Sequence, residues 1–271
     1  CMVQISDEIR LWSDKIAEVW PEMEITVLQS TDSTNNWLRA HREETSGRTM
    51  LVITDCQTAG RGSGSNHWES EPGCNLTFSM QVCPTALQAN HVFALSEAMS
   101  LGVCMGLRQL MTEQDGQASA AFRIKWPNDV YHANGKVCGM LIENDLQSRW
   151  VERSVIGVGI NVNQNCFLSD APNPLSLSQI IGKKASRMQV LAAVLSSFRN
   201  CFIMLEQGDF AGLHELYMNY VYRLHEWHRF IDKDGTFEGC ITNICPDGHL
   251  LLIDSGGQRR IYAFGEIKYI I

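Results

Sequence analysis

Met50-Leu51-Val52-Ile53-Thr54 reads as a buried strand, and it runs directly into residues 58–73, which hold Gly60, Gly62, Gly64 and Gly73 among small polar residues. That junction is the strongest constraint on the fold. An apolar strand ending in glycine-rich backbone belongs to a sheet whose end delivers converging N–H donors to one place.

The flanking patterns supply the rest of an α+β layer. Ile5, Ile9, Leu11, Trp12, Ile16, Val19 and Trp20 recur at irregular helical spacing and stop at Pro21, which opposes continuation. A short strand is expected over 24–28, then a helix over about 35–44 with Ser33 and Thr34 placed to cap its exposed amides. A strand over 76–82 leads through Pro84 into a long helix over about 87–111. Strands follow at 121–125, 136–143 and 154–162, with a hairpin-like turn at Asn134-Gly135. Residues 170–174, rich in proline and asparagine, mark an exit from the sheet. Ser186 with Gln189 suggests a capping box ahead of the stripe Val190, Leu191, Val194, Leu195, Phe198, Phe202 and Leu205, and a second helix spans 209 to about 222. From Arg229 on, short strands separated by turns at 232–235, 247–248 and 255–257 predict a small barrel.

The chain is 271 residues long and 45% hydrophobic, enough for one large unit and a small one. With 22 basic against 30 acidic residues its formal charge is −8, so no charge-driven attraction to a nucleic-acid backbone is expected. The charge-free apolar run at 98–107 is far shorter than the roughly 20 residues of a membrane span, and no secretory leader is expected. The ten cysteines are scattered singly through apolar segments, which fits free thiols in a reducing, cytoplasmic setting. Cys240 and Cys245 lack a second pair, so zinc is not expected. His225 and His228 stand three apart, either on one helix face or as ordinary solvated histidines.

Chemistry concentrates in four stretches. Gly60-Arg61-Gly62-Ser63-Gly64-Ser65 either cradles an anion, with Arg61 as a planar fork for carboxylate or phosphate oxygens, or is a flexible surface loop. It is neither a Walker loop nor the dinucleotide fingerprint. Lys125-Trp126-Pro127-Asn128-Asp129 carries a strand into a rigid turn, where Asp129 can take a magnesium ion or orient a ribose or an amine; a plain structural turn is the other reading. Lys136, at the start of the apolar strand that includes Gly139, either meets developing negative charge or snorkels to solvent, while Glu143 reads as a solvated strand end. Gly157-Val158-Gly159-Ile160-Asn161 offers either an adenine slot or tight helix packing.

In order and spacing these elements resemble the biotin protein ligase family. The likeness runs from about Leu28 to the end and rests on Thr31-Asp32-Ser33-Thr34-Asn35, Gln57-Thr58-Ala59-Gly60-Arg61-Gly62, Trp68, Lys125 to Asp129, Lys136 with Gly139, and Gly157 to Asn161. It implies a class II synthetase-like fold, a central mixed sheet flanked by helices, with a small C-terminal SH3-like barrel. Residues 1–24 would be a short extension, 25–224 the catalytic domain and 225–271 the barrel.

The activity implied is ATP- and magnesium-dependent attachment of biotin to a lysine of a biotin carboxyl carrier domain through biotinyl-5'-AMP. By that likeness Ser33, Thr34, Asn35, Gln57, Gly60, Arg61, Lys136 and Gly139 would hold biotin, and Gly62, Ser63, Trp68, Asn128 and Asn161 the nucleotide. Lys136, Arg61 and Asp129 would serve the chemistry. A lipoate or octanoate ligase and a nonenzymatic carboxylate- or nucleotide-binding module are the rival readings. Ser63 and Ser65 depart from the family's loop, which commonly has a long polar residue and a glycine there. Residues 1–24 are too few for the winged helix-turn-helix of some relatives, so no operator binding is expected, and a monomer or weak homodimer is.

Overall fold

A computed structural model describes residues 2–64, 66–112, 121–168 and 172–271. Ser65 and part of the expected exit at 170–174 lie outside the described residues. Seven strands, β1 (Glu24–Thr31), β2 (Met50–Gln57), β3 (Leu76–Val82), β4 (Phe122–Lys125), β5 (Asp129–His132), β6 (Gly135–Gln147) and β7 (Trp150–Ile160), form one sheet in the order β1-β2-β3-β7-β6-β5-β4. β1 and β2 are parallel and the other pairings antiparallel, so the sheet is mixed. A parallel pair needs a crossover, and α2 (Thr34–Ala40) with its following turns provides it.

β3 is buried along its whole length, and its alternation sorts the two faces of the sheet. Leu76, Phe78, Met80 and Val82 enter the main apolar core. Thr77, Ser79 and Gln81 alternate with them, and Ser79 bonds to Thr34 and Asn35 at the start of α2. On the apolar side lie α1 (Met2–Val19), α3 (Phe93–Thr112), α4 (Leu177–Ile181), α5 (Arg187–Glu206) and α6 (Phe210–Met218). α3 and α5 pack closely because Gly106 has no side chain; a Cβ there would lie 2.8 Å from the Ala193 carbonyl carbon. α5 is long and apolar enough in composition to cross a membrane, yet its stripe Val190, Leu191, Val194, Leu195 and Phe198 is taken up by this core. Ser186 caps α5 by accepting from the Gln189 amide as expected, whereas the reciprocal capping box sits at Ser176 and Gln179, before α4.

The predicted C-terminal barrel is corrected by the structure. β8 (Trp227–Asp232), β9 (Gly235–Ile244), β10 (Leu250–Asp254), β11 (Arg259–Tyr262) and β12 (Lys268–Tyr269) make an open sheet in the order β11-β10-β9-β8-β12. Closure requires the edge strands to pair, and β11 and β12 do not. β12 is only two residues, joined to β8 at Ile231 and Phe230, and the chain around it turns instead toward the cavity of the first sheet. The mixed α+β layer stands; the closed SH3-like barrel does not.

Three smaller expectations also change. α2 ends at Ala40, and the Ser33 side chain makes no capping bond. β5 was hidden in the turn reading of residues 128–129, and its hairpin to β6 turns at Ala133-Asn134, with Ala133 at φ +49°. His225 takes a left-handed backbone at φ +60° and His228 lies on β8, so they share no helix face.

The two sheets share one apolar core, and two polar links reinforce the junction. Trp126 Nε1 donates to the Gly248 carbonyl at 2.9 Å. His214 on α6 bonds through Nδ1 to Glu97 of α3 at 2.6 Å, and its ring also bonds the Ile244 backbone. The bond to Glu97 raises the His214 pKa, while burial raises that of Glu97. A histidine held above its unfolded pKa stabilises fully below that unfolded value and loses the contribution as pH rises through the folded one. Raising the Glu97 pKa works in the same direction. Denaturant unfolding from pH 6 to 9 should therefore show wild-type stability falling with pH, and His214→Gln should flatten the profile. Equal slopes would contradict the link.

Candidate functional site

A cavity of about 1140 Å³ opens where the ends of β2, β5, β6 and β7 meet the glycine-rich segment and the C-terminal residues. Ser33, Thr34, Asn35, Gln57, Arg61, Gly62, Ser63, Trp68, Asn128, Asp129, Lys136, Gly139 and Asn161 all line it. Gly60 does not, but its carbonyl accepts from the Trp68 amide at 3.0 Å and so anchors the loop behind it.

One wall is a row of short polar side chains that satisfy one another. The Gln57 Oε1 accepts from the Thr34 backbone N–H at 2.9 Å and from its hydroxyl at 3.2 Å. That hydroxyl lies 2.6 Å from Ser79 Oγ, which in turn donates to Asn35 Oδ1 at 2.6 Å. Burial would make any unpaired member costly, so the row is fixed in geometry. Ser33, not used as a cap, adds its hydroxyl to the same wall.

The glycine-rich segment is a small folded hairpin rather than a free loop. Arg61 bridges to His67 through the backbone, and the Gly62 amide donates to the Asn66 carbonyl at 2.8 Å. The hairpin lays the Trp68 indole against the backbone of β6 and β7. A Cβ at Gly159 would fall 2.2 Å from Trp68 Cε2, so only glycine admits the ring. Trp68 Nε1 is buried there, and among the described residues it has no hydrogen-bond partner.

Two cations are held by carboxylates. Lys136 Nζ stands 2.8 Å from Asp129 Oδ2. Arg61 Nη2 stands 2.6 Å from Glu143 Oε2, which also accepts from Asn35 Nδ2 at 2.8 Å, while Arg39 Nη1 reaches Oε1 at 3.0 Å. Burial pushes the Glu143 carboxyl up, but the bonds from Asn35 and Arg61 outweigh it and hold the group below its ordinary value. Glu143 is thus an ionised anchor for Arg61 in mid-strand and not a solvated end; β6 continues to Gln147. Its place on one face with Gly139 and Leu141, two residues apart each, was the signal available in the sequence. Sequence reasoning passed over Tyr131, Phe264 and Tyr269, which line the same cavity as Lys125.

Arg61 and Lys136 share this space with a fixed row of amides and hydroxyls beneath a tryptophan. Such an arrangement can hold a carboxylate and a phosphate together while a polar ring system is bound beside them.

Known proteins are similar in sequence and fold. Residues 27–161 match the Biotin/lipoate A/B protein ligase family. The bifunctional ligase/repressor BirA of Bacillus subtilis is 32% identical over 243 residues, covering 88% of this chain and 70% of that protein. The biotin–[acetyl-CoA-carboxylase] ligase of Paracoccus denitrificans is 27% identical over 248 residues, covering 88% and 97%. The solved biotin protein ligase from Aquifex aeolicus in complex with biotin and ATP is similar with a TM-score of 0.72 at 26% identity, covering 91% of this chain and 99% of that one. The chain belongs to the biotin protein ligase family.

Proposed function

We propose that this cavity binds biotin and ATP together, joins them as biotinyl-5'-AMP, and passes the biotinyl group to a lysine of a carrier-protein domain. The observation that carries the reading is that Arg61 and Lys136 face one cavity whose other wall is the Ser33–Thr34–Asn35–Gln57 row. ATP-dependent biotin ligation is the activity of the family to which the chain belongs. On this reading residues 25–224 form the catalytic unit and residues 225–271 its C-terminal cover.

A carboxylate is a poor electrophile, so it is activated first. A biotin carboxylate oxygen attacks the α-phosphorus, and the bond from that phosphorus to the β-bridging oxygen breaks, releasing pyrophosphate. Arg61 and Lys136 offset the charge that gathers on the phosphate oxygens. In the second step the acceptor amine attacks the mixed anhydride and AMP leaves. Ser33, Thr34, Asn35 and Gln57 suit the ureido head of biotin, while Trp68, Asn128 and Asn161 suit the nucleotide. Hydrolysis competes with transfer, so the hairpin carrying Ser63 serves to exclude water.

Magnesium fits as an ion held mainly by substrate phosphates, with Asp129 as its protein carboxylate; such sites need only one or two carboxylates. Among the described residues no cluster of three or more His, Cys, Asp or Glu forms a closed metal cage. The described cysteines are free and several are buried, which supports a cytoplasmic, reducing location.

Ser63 lines the cavity, at a position where the family resemblance implies a longer polar residue. Ser63→Arg should therefore lower the release of free biotinyl-5'-AMP several-fold when adenylate in the filtrate is measured without acceptor; equal or greater release would contradict this. The function itself is tested by biotin-dependent ATP–pyrophosphate exchange. Exchange should appear with biotin and vanish without it, and exchange independent of any acid would overturn the reading.

A further inference from the structure

The turn from β4 to β5 is tethered from both sides. The Ile124 N–H donates to the Tyr220 carbonyl and the Tyr222 N–H to the Ile124 carbonyl, both at 2.8 Å, so the chain that follows α6 grips β4. The Trp126 indole is fixed by the Gly248 carbonyl of the second sheet. Pro127 comes next, and its ring locks φ while leaving ψ free. Rotation about that ψ tilts the peptide plane leading into Asn128 and Asp129, which both line the cavity. A buried hydroxyl meets this plane, for Tyr217 of α6 donates to the Pro127 carbonyl at 3.0 Å.

Tyr217 itself does not line the cavity and is fully buried in the apolar core. Its place there is over-determined. The ring meets Phe93 of α3 edge-on, with centroids 5.8 Å apart and planes at 84°. His214, three residues earlier on α6, bonds to Glu97 of α3, and Asp209 caps the start of α6 by accepting from the Gly212 amide at 3.0 Å. The donor therefore cannot swing away from the turn. Burial, with Glu97 adding, holds the Tyr217 pKa well above the ordinary phenol value, so the hydroxyl stays a donor across the neutral range. Phenylalanine would fill the same apolar space, and a hydroxyl removed from water is costly unless it is paired. The core does not need this oxygen; the turn does.

We propose that Tyr217 is a positioning residue: its hydroxyl fixes the peptide plane between Pro127 and Asn128, and through it the direction in which Asn128 and Asp129 enter the cavity. The proposal rests on the ligase reading. It gives the helical layer a direct part in the chemistry, since α6 transmits the position of α3 to the turn. The Ser33–Thr34–Asn35–Gln57 wall is held by bonds of its own and by Ser79, so it does not depend on Tyr217. Loss of the hydroxyl should therefore be felt on one side of the cavity only.

Two variants separate positioning from packing. Tyr217→Phe removes the hydroxyl and keeps the ring, whereas Phe93→Leu loosens the packing of the same ring and keeps the hydroxyl. In biotin-dependent ATP–pyrophosphate exchange, Tyr217→Phe should lower kcat/KM for ATP about tenfold, with the KM for biotin staying within about twofold of wild type. Phe93→Leu should lose at least as much stability in urea and yet keep kcat/KM for ATP within about threefold. Unchanged kcat/KM for ATP in Tyr217→Phe, a parallel rise in its biotin KM, or an equal loss in Phe93→Leu overturns the positioning role. Absence of exchange in the unaltered chain overturns the ligase reading and this proposal with it.

Discussion

Lys136→Gln should lower the rate of adenylate formation by about two to three orders of magnitude, the loss typical when a preorganised charge is removed from a developing oxyanion. Two effects add. The variant removes the positive charge from the cavity, and it strips Asp129 of the partner at 2.8 Å, leaving a carboxylate beside the phosphate. The double variant Lys136→Gln with Asp129→Asn removes that second effect and should bind ATP better than the single variant while staying slow. Rapid-quench measurement of labelled adenylate, together with equilibrium binding of a non-hydrolysable ATP analogue, separates the two. A single variant within fivefold of the wild-type rate would contradict the role given to Lys136.

The second large effect is expected from one methyl group. Gly159→Ala places a Cβ 2.2 Å from Trp68 Cε2 and 2.5 Å from its Nε1, distances no packed structure tolerates. The strand backbone at Gly159 is locked between β3 and β6, so the indole moves instead. Its chain is tied at the Gly60 carbonyl, so the hairpin carrying Arg61 moves with it. Nucleotide affinity should fall more than tenfold by calorimetry, and adenylate formation should fall with it. The added methyl group does not meet the Ser33–Gln57 wall, so biotin affinity, which loses only the support of Arg61, should fall less than nucleotide affinity. Unchanged nucleotide affinity would mean that Trp68 has no part in holding it.

Much of this site is legible in the sequence because its parts are local. β2 and β3 stand out as short apolar runs bounded by turn residues, and the segments that hold Ser33, Arg61, Asn128 and Lys136 each carry an unusual composition of their own. What was missed depends on neighbours distant in the chain. Glu143 looks like a strand end until β6 is seen to run on to Gln147 and pair across to Trp150. β5 is four residues long and follows Pro127, so its polar start reads as a turn. The C-terminal strands were recognised, but strand content does not say whether the edges meet. A two-residue β12 leaves the sheet open and sends its neighbouring residues to the cavity. His225 and His228 show the same limit, since a spacing of three signals a helix face only where the backbone is helical. Tyr131, Phe264 and Tyr269 escaped notice because lining one cavity is a property of the folded arrangement.

The central claim is that one pocket activates biotin and delivers it to a protein lysine. Incubating the chain with ATP, magnesium, biotin and a biotin carrier domain, and reading the intact mass of the acceptor, tests it directly. The acceptor should gain a single biotinyl group, gain nothing when lipoate replaces biotin, and gain nothing when its target lysine is changed to arginine. An acceptor that stays unmodified with biotin, or that takes up lipoate instead, would contradict the account.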